Sequence, residues 1–378
     1  MEFSIKKSEL MRELNLLMGV VERKTTMPIL GHFLVTAGSD GQIELMATDL
    51  ELSLRTRCAA KVKKSGSAAI PAHKLVDYVK LLPEAEISFK ALENHYVQLR
   101  CGRANTRMVG MAGDNFPESP AVPAAAPARV PAGALARMIG KVIFAISNEE
   151  TRYTLNGALM RLQPSALLLV ATDGHRLSHV NNDKLGLEGV NTEIKSLVPR
   201  KALVELRKLI EEAPENSSLE FQQNETHLHF NVPVSDGSGR QLAVRQMTGQ
   251  FPNYEAVLPK DNPHSCPLPV EELAGSLRRV AQFADERSHG VKFKLEKGHL
   301  TLTSSTVESG EADEEMEVSY EGEAMNIGFN AQYLLEFLDV AGCEQVLLEL
   351  KDEQSAGQFR PLNSSDDQAR YVVMPMRI

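Results

Sequence analysis

The chain has 378 residues, 43% hydrophobic and 24% charged, an ordinary globular composition with length for two or three domains. Its start, MEFSIKKSELM, carries no apolar leader, and no apolar run approaches the length of a membrane span, so a cytoplasmic protein without a membrane partner is expected. Four scattered cysteines (Cys58, Cys101, Cys266, Cys343) argue against a disulfide framework or a zinc site, and a net charge of −9 argues at face value against nucleic acid, whose binding runs on Lys and Arg.

From the N-terminus onward, the elements repeat. A helix-period segment, KKSELMRELNLLMGVV (6–21), leads to alternating strands that include IELMATDLELSL (43–54). A second helix comes next in IPAHKLVDYVKLLPE (70–84), then a strand from ISFKAL, and the segment closes on FPESP (116–120). The series restarts with the helix PAGALARMIGKVIFAIS (131–147), the strand and turn LLLVATDGHRLSHV (167–180), the helix VPRKALVELRKLIEE (198–212), the strand SLEFQQ and the closing FPNYEAVLP (251–259). A third series has PVEELAGSLRRVAQFA (269–284), LTLTSSTVESG (300–310), GFNAQYLLEFLDVAG (328–342), VLLELK and the terminal VVMPMRI. Internal similarity of this kind marks tandem modules. The expected fold is α+β: three copies, of about 125 residues, of a module with two helices packed on antiparallel sheet, spanning 1–120, 128–259 and 265–378. The linkers PESPAVPAAAPARVP (117–131) and PKDNPHSCPLP (259–269) are proline-rich and lack apolar periodicity.

LLLVATDGHRLSHV has the look of an active site, with Asp173, His175 and Arg176 at the end of a strand. The first copy argues otherwise, because its Ala47-Thr48-Asp49 aligns with Ala171-Thr172-Asp173, and the third copy lacks the Asp. A shared Thr-Asp is read as a turn in which the Asp carboxylate bonds nearby backbone N–H groups. No nucleophile, base and orienting group come together in the sequence, Gly140-Lys141 does not complete a phosphate loop, and His227 with His229 lack a third metal ligand. No catalytic residue, metal or cofactor is expected.

Positive charge gathers on the helices. The six helical segments carry a net of +3 and the rest of the chain −12. Helical projection sets Arg137 and Lys141 opposite the apolar stripe of Leu135, Ile139, Val142 and Ile146, in a segment without an acid. Arg12 in the first copy, Arg207 and Lys208 in the second, and Arg278 and Arg279 in the third take similar positions. Such faces suit phosphate contact without base reading, and hence duplex DNA without sequence specificity. Two further runs oppose each other in charge: RCGRANTR in the first copy, with Arg103 and Arg107, and VESGEADEEMEV in the third, with Glu311 and Glu314. Meeting between chains, they would join modules head to tail and close a ring. A three-module scaffold that never meets DNA differs from this reading only in the use of its helices.

At TMPILGHFLV (26–35), TRYTLNGALM (151–160), VATDGHRL (170–177), VPRKALVELRKL (198–209), QFPNYEAVLP (250–259), GFNAQYLLEFL (328–338) and YVVMPMRI (371–378), the chain resembles the bacterial sliding clamps, the beta subunits of DNA polymerase III. The resemblance implies a homodimeric ring of six modules with helices inside and sheets outside, threaded on duplex DNA and non-catalytic. It also implies a cleft between the second and third modules that captures short motifs, typically a Gln followed by Leu and aromatic or aliphatic residues. These motifs belong to the replicative polymerase subunit, the clamp loader, translesion polymerases and mismatch-repair proteins. Carried over by position, the cleft comprises Leu155, Thr172, Gly174, His175, Arg176, Leu177, Pro252, Val257, Asn330, Tyr333, Val372, Val373, Met374, Pro375, Met376, Arg377 and Ile378. Read from its residues alone, VVMPM would be a buried last strand. The resemblance further implies DNA contacts by Lys24, Arg152 and Tyr153 and dimer contacts by Met108 and Phe283. The chain departs from the family at Ala256, at Ile378 and in the acidic stretch Asn148, Glu149 and Glu150.

Overall fold

A computed structural model describes residues 1–22, 25–149, 151–235, 237–363 and 367–377. Among the described residues there are six α-helices: α1 (Lys7–Leu17), α2 (Ala72–Leu81), α3 (Ala132–Val142), α4 (Arg200–Glu211), α5 (Val270–Val280) and α6 (Ala331–Leu338), two to each copy of the repeat. Every one sits where helical periodicity placed it but is shorter. The trailing residues of the α3 and α5 segments tighten into 3-10 turns at Ile143–Ala145 and Ala281–Phe283. Pro71, Pro131, Pro199 and Pro269 each end a strand immediately before a helix. A proline's fixed φ and missing N–H suit the last place in a ladder, and the turn into the helix starts on the next residue.

Every strand pairing among the described residues is antiparallel. The chain forms two compact units that do not follow the three copies one by one: 1–136 with 201–246, and 137–200 with 247–378. The first unit holds an eight-stranded sheet in which the copy-one strand Leu52–Ala59 pairs with the copy-two strand Gly239–Arg245. It also holds a five-stranded sheet ending on the edge strand Ala104–Val109. The second unit repeats the plan. In its eight-stranded sheet the copy-two strand Arg176–Asn182 pairs with the copy-three strand Gln368–Val373. Its four-stranded sheet ends on the edge strand Gly310–Glu317. In both units, therefore, the strand after the Thr-Asp turn of one copy pairs with the last strand of the next.

Period-two patterning separates the faces of the second unit's large sheet. Tyr371 and Val373 enter a core with Phe329, Phe337, Leu348 and Phe359, while Val372 joins Leu159, Val170, Leu177 and Tyr254 on the opposite face. No described helix is long and apolar enough to cross a membrane.

Candidate peptide-binding site

The turn between strands Ala166–Thr172 and Arg176–Asn182 is held by its own side chains. Asp173 Oδ1 accepts from the His175 N–H at 2.9 Å and the Arg176 N–H at 3.0 Å. Thr172 Oγ1 donates to the Arg176 carbonyl at 2.6 Å and accepts from the Gly174 N–H at 3.1 Å. Gly174 sits at φ 92°, in the left-handed region that glycine enters without strain. Asp173 thus does the turn-building work expected of it.

Beside the turn is an apolar cavity of about 140 Å³ in the second unit, lined by Leu155, Thr172, Gly174, His175, Arg176, Leu177, Pro252, Tyr254, Val257, Val372 and Met374. Ten of these eleven residues belong to the set carried over by position. Tyr254 was missed, although it stands in the QFPNYEAVLP segment; its ring packs on Phe251, and its hydroxyl accepts from Arg161 Nη1 at 2.7 Å. Val257 and Met374 remain 46% and 47% exposed, so the lining is open to a ligand while Leu177 and Val372 anchor it from the core. Adaptable apolar side chains around few polar groups suit an apolar peptide side chain.

Six residues of the expected cleft fall elsewhere. Val373 is fully buried in the opposite core, because neighbouring strand residues face opposite ways. Pro375, Met376 and Arg377 line a separate, more polar concavity with Lys292, Asn326 and Glu353. Asn330 caps α6, accepting from the Tyr333 N–H at 3.1 Å and donating to the Ser288 carbonyl at 3.1 Å. Tyr333 serves Arg176 rather than the cavity, its ring centroid 4.2 Å from the guanidinium carbon. Ile378 lies outside the described residues.

Arg176 lines the cavity as expected but also does a second job. It borders the cavity, but its guanidinium turns to the helix-bearing face, donating to Asp173 Oδ2 at 2.9 Å, Glu336 Oε2 at 2.6 Å and the Phe144 carbonyl at 2.6 Å. Burial opposes its charge, but Tyr371 and Glu336 outweigh that and hold the group above its ordinary value. Arg176 is a permanently charged tie, 8% exposed, that positions the turn.

The helix cations are also less free than the sequence implied. Arg137 and Lys141, which have no acid in their own helix, meet the fully buried carboxylate of Asp367 at 3.4 and 3.5 Å. Only the tertiary fold brings that acid across more than 220 residues. Arg12 pairs with Glu13 at 3.0 Å, Arg207 with Glu211 at 3.3 Å, Lys208 with Glu205 at 2.8 Å and Arg278 with Asp339 at 2.7 Å. Arg152 pairs with Glu149 at 3.1 Å and donates to the Asp173 carbonyl at 2.8 Å, so its guanidinium is already engaged within the chain. Tyr153 is 51% exposed. Lys24 and Glu150 lie outside the described residues.

Arg103 and Arg107 are exposed at or next to the edge strand Ala104–Val109, and Glu311 is exposed on the edge strand Gly310–Glu317. Glu314, expected at a dimer contact, instead binds Arg279, expected at DNA, and that hydrogen bond pulls its carboxyl down to about 2. Met108 is only 2% exposed, pointing inward from the edge strand, so it supports that edge from within and does not present itself to a partner. Phe283 is half-buried. Among the described residues no group of three or more metal-ligating side chains exists.

The whole chain matches known proteins. Family models for the N-terminal, central and C-terminal domains of the DNA polymerase III beta subunit match residues 1–120, 129–253 and 255–377. The beta sliding clamp of Caulobacter vibrioides is 33% identical and that of Vibrio cholerae 31%, each over the full length of both chains. A crystal structure of the Pseudomonas aeruginosa DnaN sliding clamp bound to griselimycin superposes with a TM-score of 0.91, at 31% identity and full coverage of both chains. The chain belongs to the DNA polymerase III beta subunit family, the bacterial sliding clamps, which are non-catalytic processivity subunits.

Proposed function

We propose that two copies of this chain, each with modules at 1–120, 128–259 and 265–378, close head to tail into a ring around duplex DNA in the cytoplasm. The observation that carries this reading is a pairing left incomplete. Within the chain, the strand after the turn of copy one pairs with the last strand of copy two, and copy two repeats this with copy three. The equivalent strand of copy three, Gly310–Glu317, and the last strand of copy one, Ala104–Val109, are both sheet edges. One edge is acidic through Glu311, Asp313, Glu315 and Glu317, and the other has Arg103 and Arg107. A long unpaired edge calls for a partner strand, opposite charge selects it, and a repeated heterologous contact that closes makes a ring.

Retention on DNA then comes from topology. The helix cations whose partner carboxylates are exposed, Arg207 with Glu211 and Arg278 with Asp339, exchange those partners for phosphates at little cost and let the ring move without base recognition. The apolar cavity beside Thr172–Leu177 tethers the replicative polymerase subunit, the clamp loader, translesion polymerases and mismatch-repair proteins by short motifs with an apolar anchor. The test is retention on closed circular DNA after loading, followed by linearisation. The ring reading expects loss only after the cut; equal loss from circular and linear DNA overturns it.

A further inference from the structure

A second concavity, about 580 Å³ and polar, opens on the cavity-bearing face of the same sheet, between the linker at Pro259–Asn262 and the strand ends around Glu349, Arg360 and Arg370. Its charges do not cancel. Glu349 is consumed by Arg360, at 2.5 and 2.7 Å, and by the Gln358 amide. Asp367, also on its wall, is fully buried and engaged by Asn182, Arg137 and Lys141. Arg370 has only neutral acceptors, the Pro259 carbonyl at 2.6 Å and Gln358 Oε1 at 2.7 Å, and no carboxylate among the described residues lies within ion-pair distance. Lys260, on the same wall, is exposed and likewise makes no ion pair among the described residues. Burial and then the neighbouring Arg360 work against the Arg370 charge, and the more distant carboxylate of Glu349, already bound to Arg360, only partly offsets them. An arginine held half-buried without a counter-ion is an anion receptor awaiting its anion.

The position says which anion. Arg370 and Val372 alternate along the strand Gln368–Val373, so both face the same side, and Arg370 stands about 7 Å from the Val372 wall of the apolar cavity, one strand repeat away. We propose that this basic concavity is a second contact for peptides seated in the apolar cavity, taking carboxylate side chains that flank their apolar anchor. The proposal rests on the peptide-binding reading of that cavity and adds a charge preference to it.

The test uses the full chain and synthetic peptides containing Gln, Leu and an aromatic residue, either bare or extended at one end or the other by three Asp or by three Asn. Fluorescence polarisation at low salt should show one Asp-extended peptide binding about tenfold tighter than its Asn counterpart, with the advantage shrinking as salt is raised. In Arg370→Gln with Lys260→Gln, the Asp-to-Asn ratio should fall to near one. Equal affinity of Asp and Asn peptides for the unaltered chain, at both ends, overturns the proposal without any variant having to fold. A preference that survives in the double variant overturns it too, since the carboxylates are then read elsewhere. Failure of the bare peptide to bind would instead remove the cavity reading beneath it, a distinct result.

Discussion

The turns at Thr48–Leu52 and Thr172–Arg176 have the same internal frame. Asp49 Oδ1 accepts from the N–H groups of Glu51 and Leu52 at 2.9 and 2.6 Å, as Asp173 does from His175 and Arg176. Thr48 Oγ1 donates to the Leu52 carbonyl and accepts from the Leu50 N–H, as Thr172 does with Arg176 and Gly174. Leu50 even takes the positive φ, 76°, that Gly174 takes at 92°. The two turns part at the strand they lead into. Leu52 and Ser53 in copy one stand where copy two has Arg176 and Leu177, and Ser53 is spent on a 2.8 Å hydrogen bond to Thr48. The copy-one apolar cluster of Ile29, Leu30, Met46 and Ala69 is capped by Phe116, 7% exposed; in copy two the matching Phe251 is only half-buried and Pro252 and Val257 border a cavity. One backbone device can therefore serve as a plain corner or as the rim of a binding site, depending on two side chains after it.

Giving copy two the residues of copy one should erase that distinction, with the largest loss at Arg176→Leu. It strands the carboxylates of Asp173 and Glu336 around a buried position, and a destabilisation of about 3 kcal/mol, read as a lowered thermal midpoint, should accompany loss of peptide binding. Full stability in this variant would mean that Arg176 does not tie the turn. Leu177→Ser should cost about 2–3 kcal/mol, as for other buried large-to-small changes, and weaken a motif peptide by at least about tenfold in a titration.

The strands after the two turns also differ in titration. Copy two places His179 opposite Arg370 in the ladder, and burial followed by that charge pushes the imidazole down to about 4. The folded state therefore keeps His179 neutral while the unfolded chain, with an ordinary value near 6.5, takes up a proton. Stability is fully present above pH 6.5 and declines as pH falls toward 4, by roughly 3 kcal/mol. Comparing the acid arm of the stability profile with that of His179→Gln should show this contribution disappear; identical profiles would refute it. The smallest effect is expected at Leu50→Gly, where removing the side chain from a positive φ should raise stability by about 0.5–1 kcal/mol in chemical unfolding. A loss there would mean that the half-exposed Leu50 side chain contributes more than its backbone strain removes.

The three copies, their helices and the Thr-Asp turn were all legible in the residues, because periodicity and turn chemistry act over a few neighbours at a time. Asp173 and Asp49 could be read as turn acids without coordinates, since their partners lie two and three residues away. Most of the cavity wall was legible too, through family resemblance at matched positions, whereas Val373 and Tyr254 were misjudged. Strand alternation at Val373 could have warned of an inward side chain, but only a known sheet says which face holds the cavity. Charge pairing across the chain was beyond the sequence. That Asp367 would neutralise Arg137 and Lys141, that Glu314 would bind Arg279, and that Arg370 would be left without an acid depend on long-range packing. Repeat, elements and turn are written in the residue order itself, since they rest on local propensity. Which side chains face the cavity and which charges stay open was settled by the folded chain, because Coulomb and contact energies depend on distances in space that folding sets between residues far apart in the sequence.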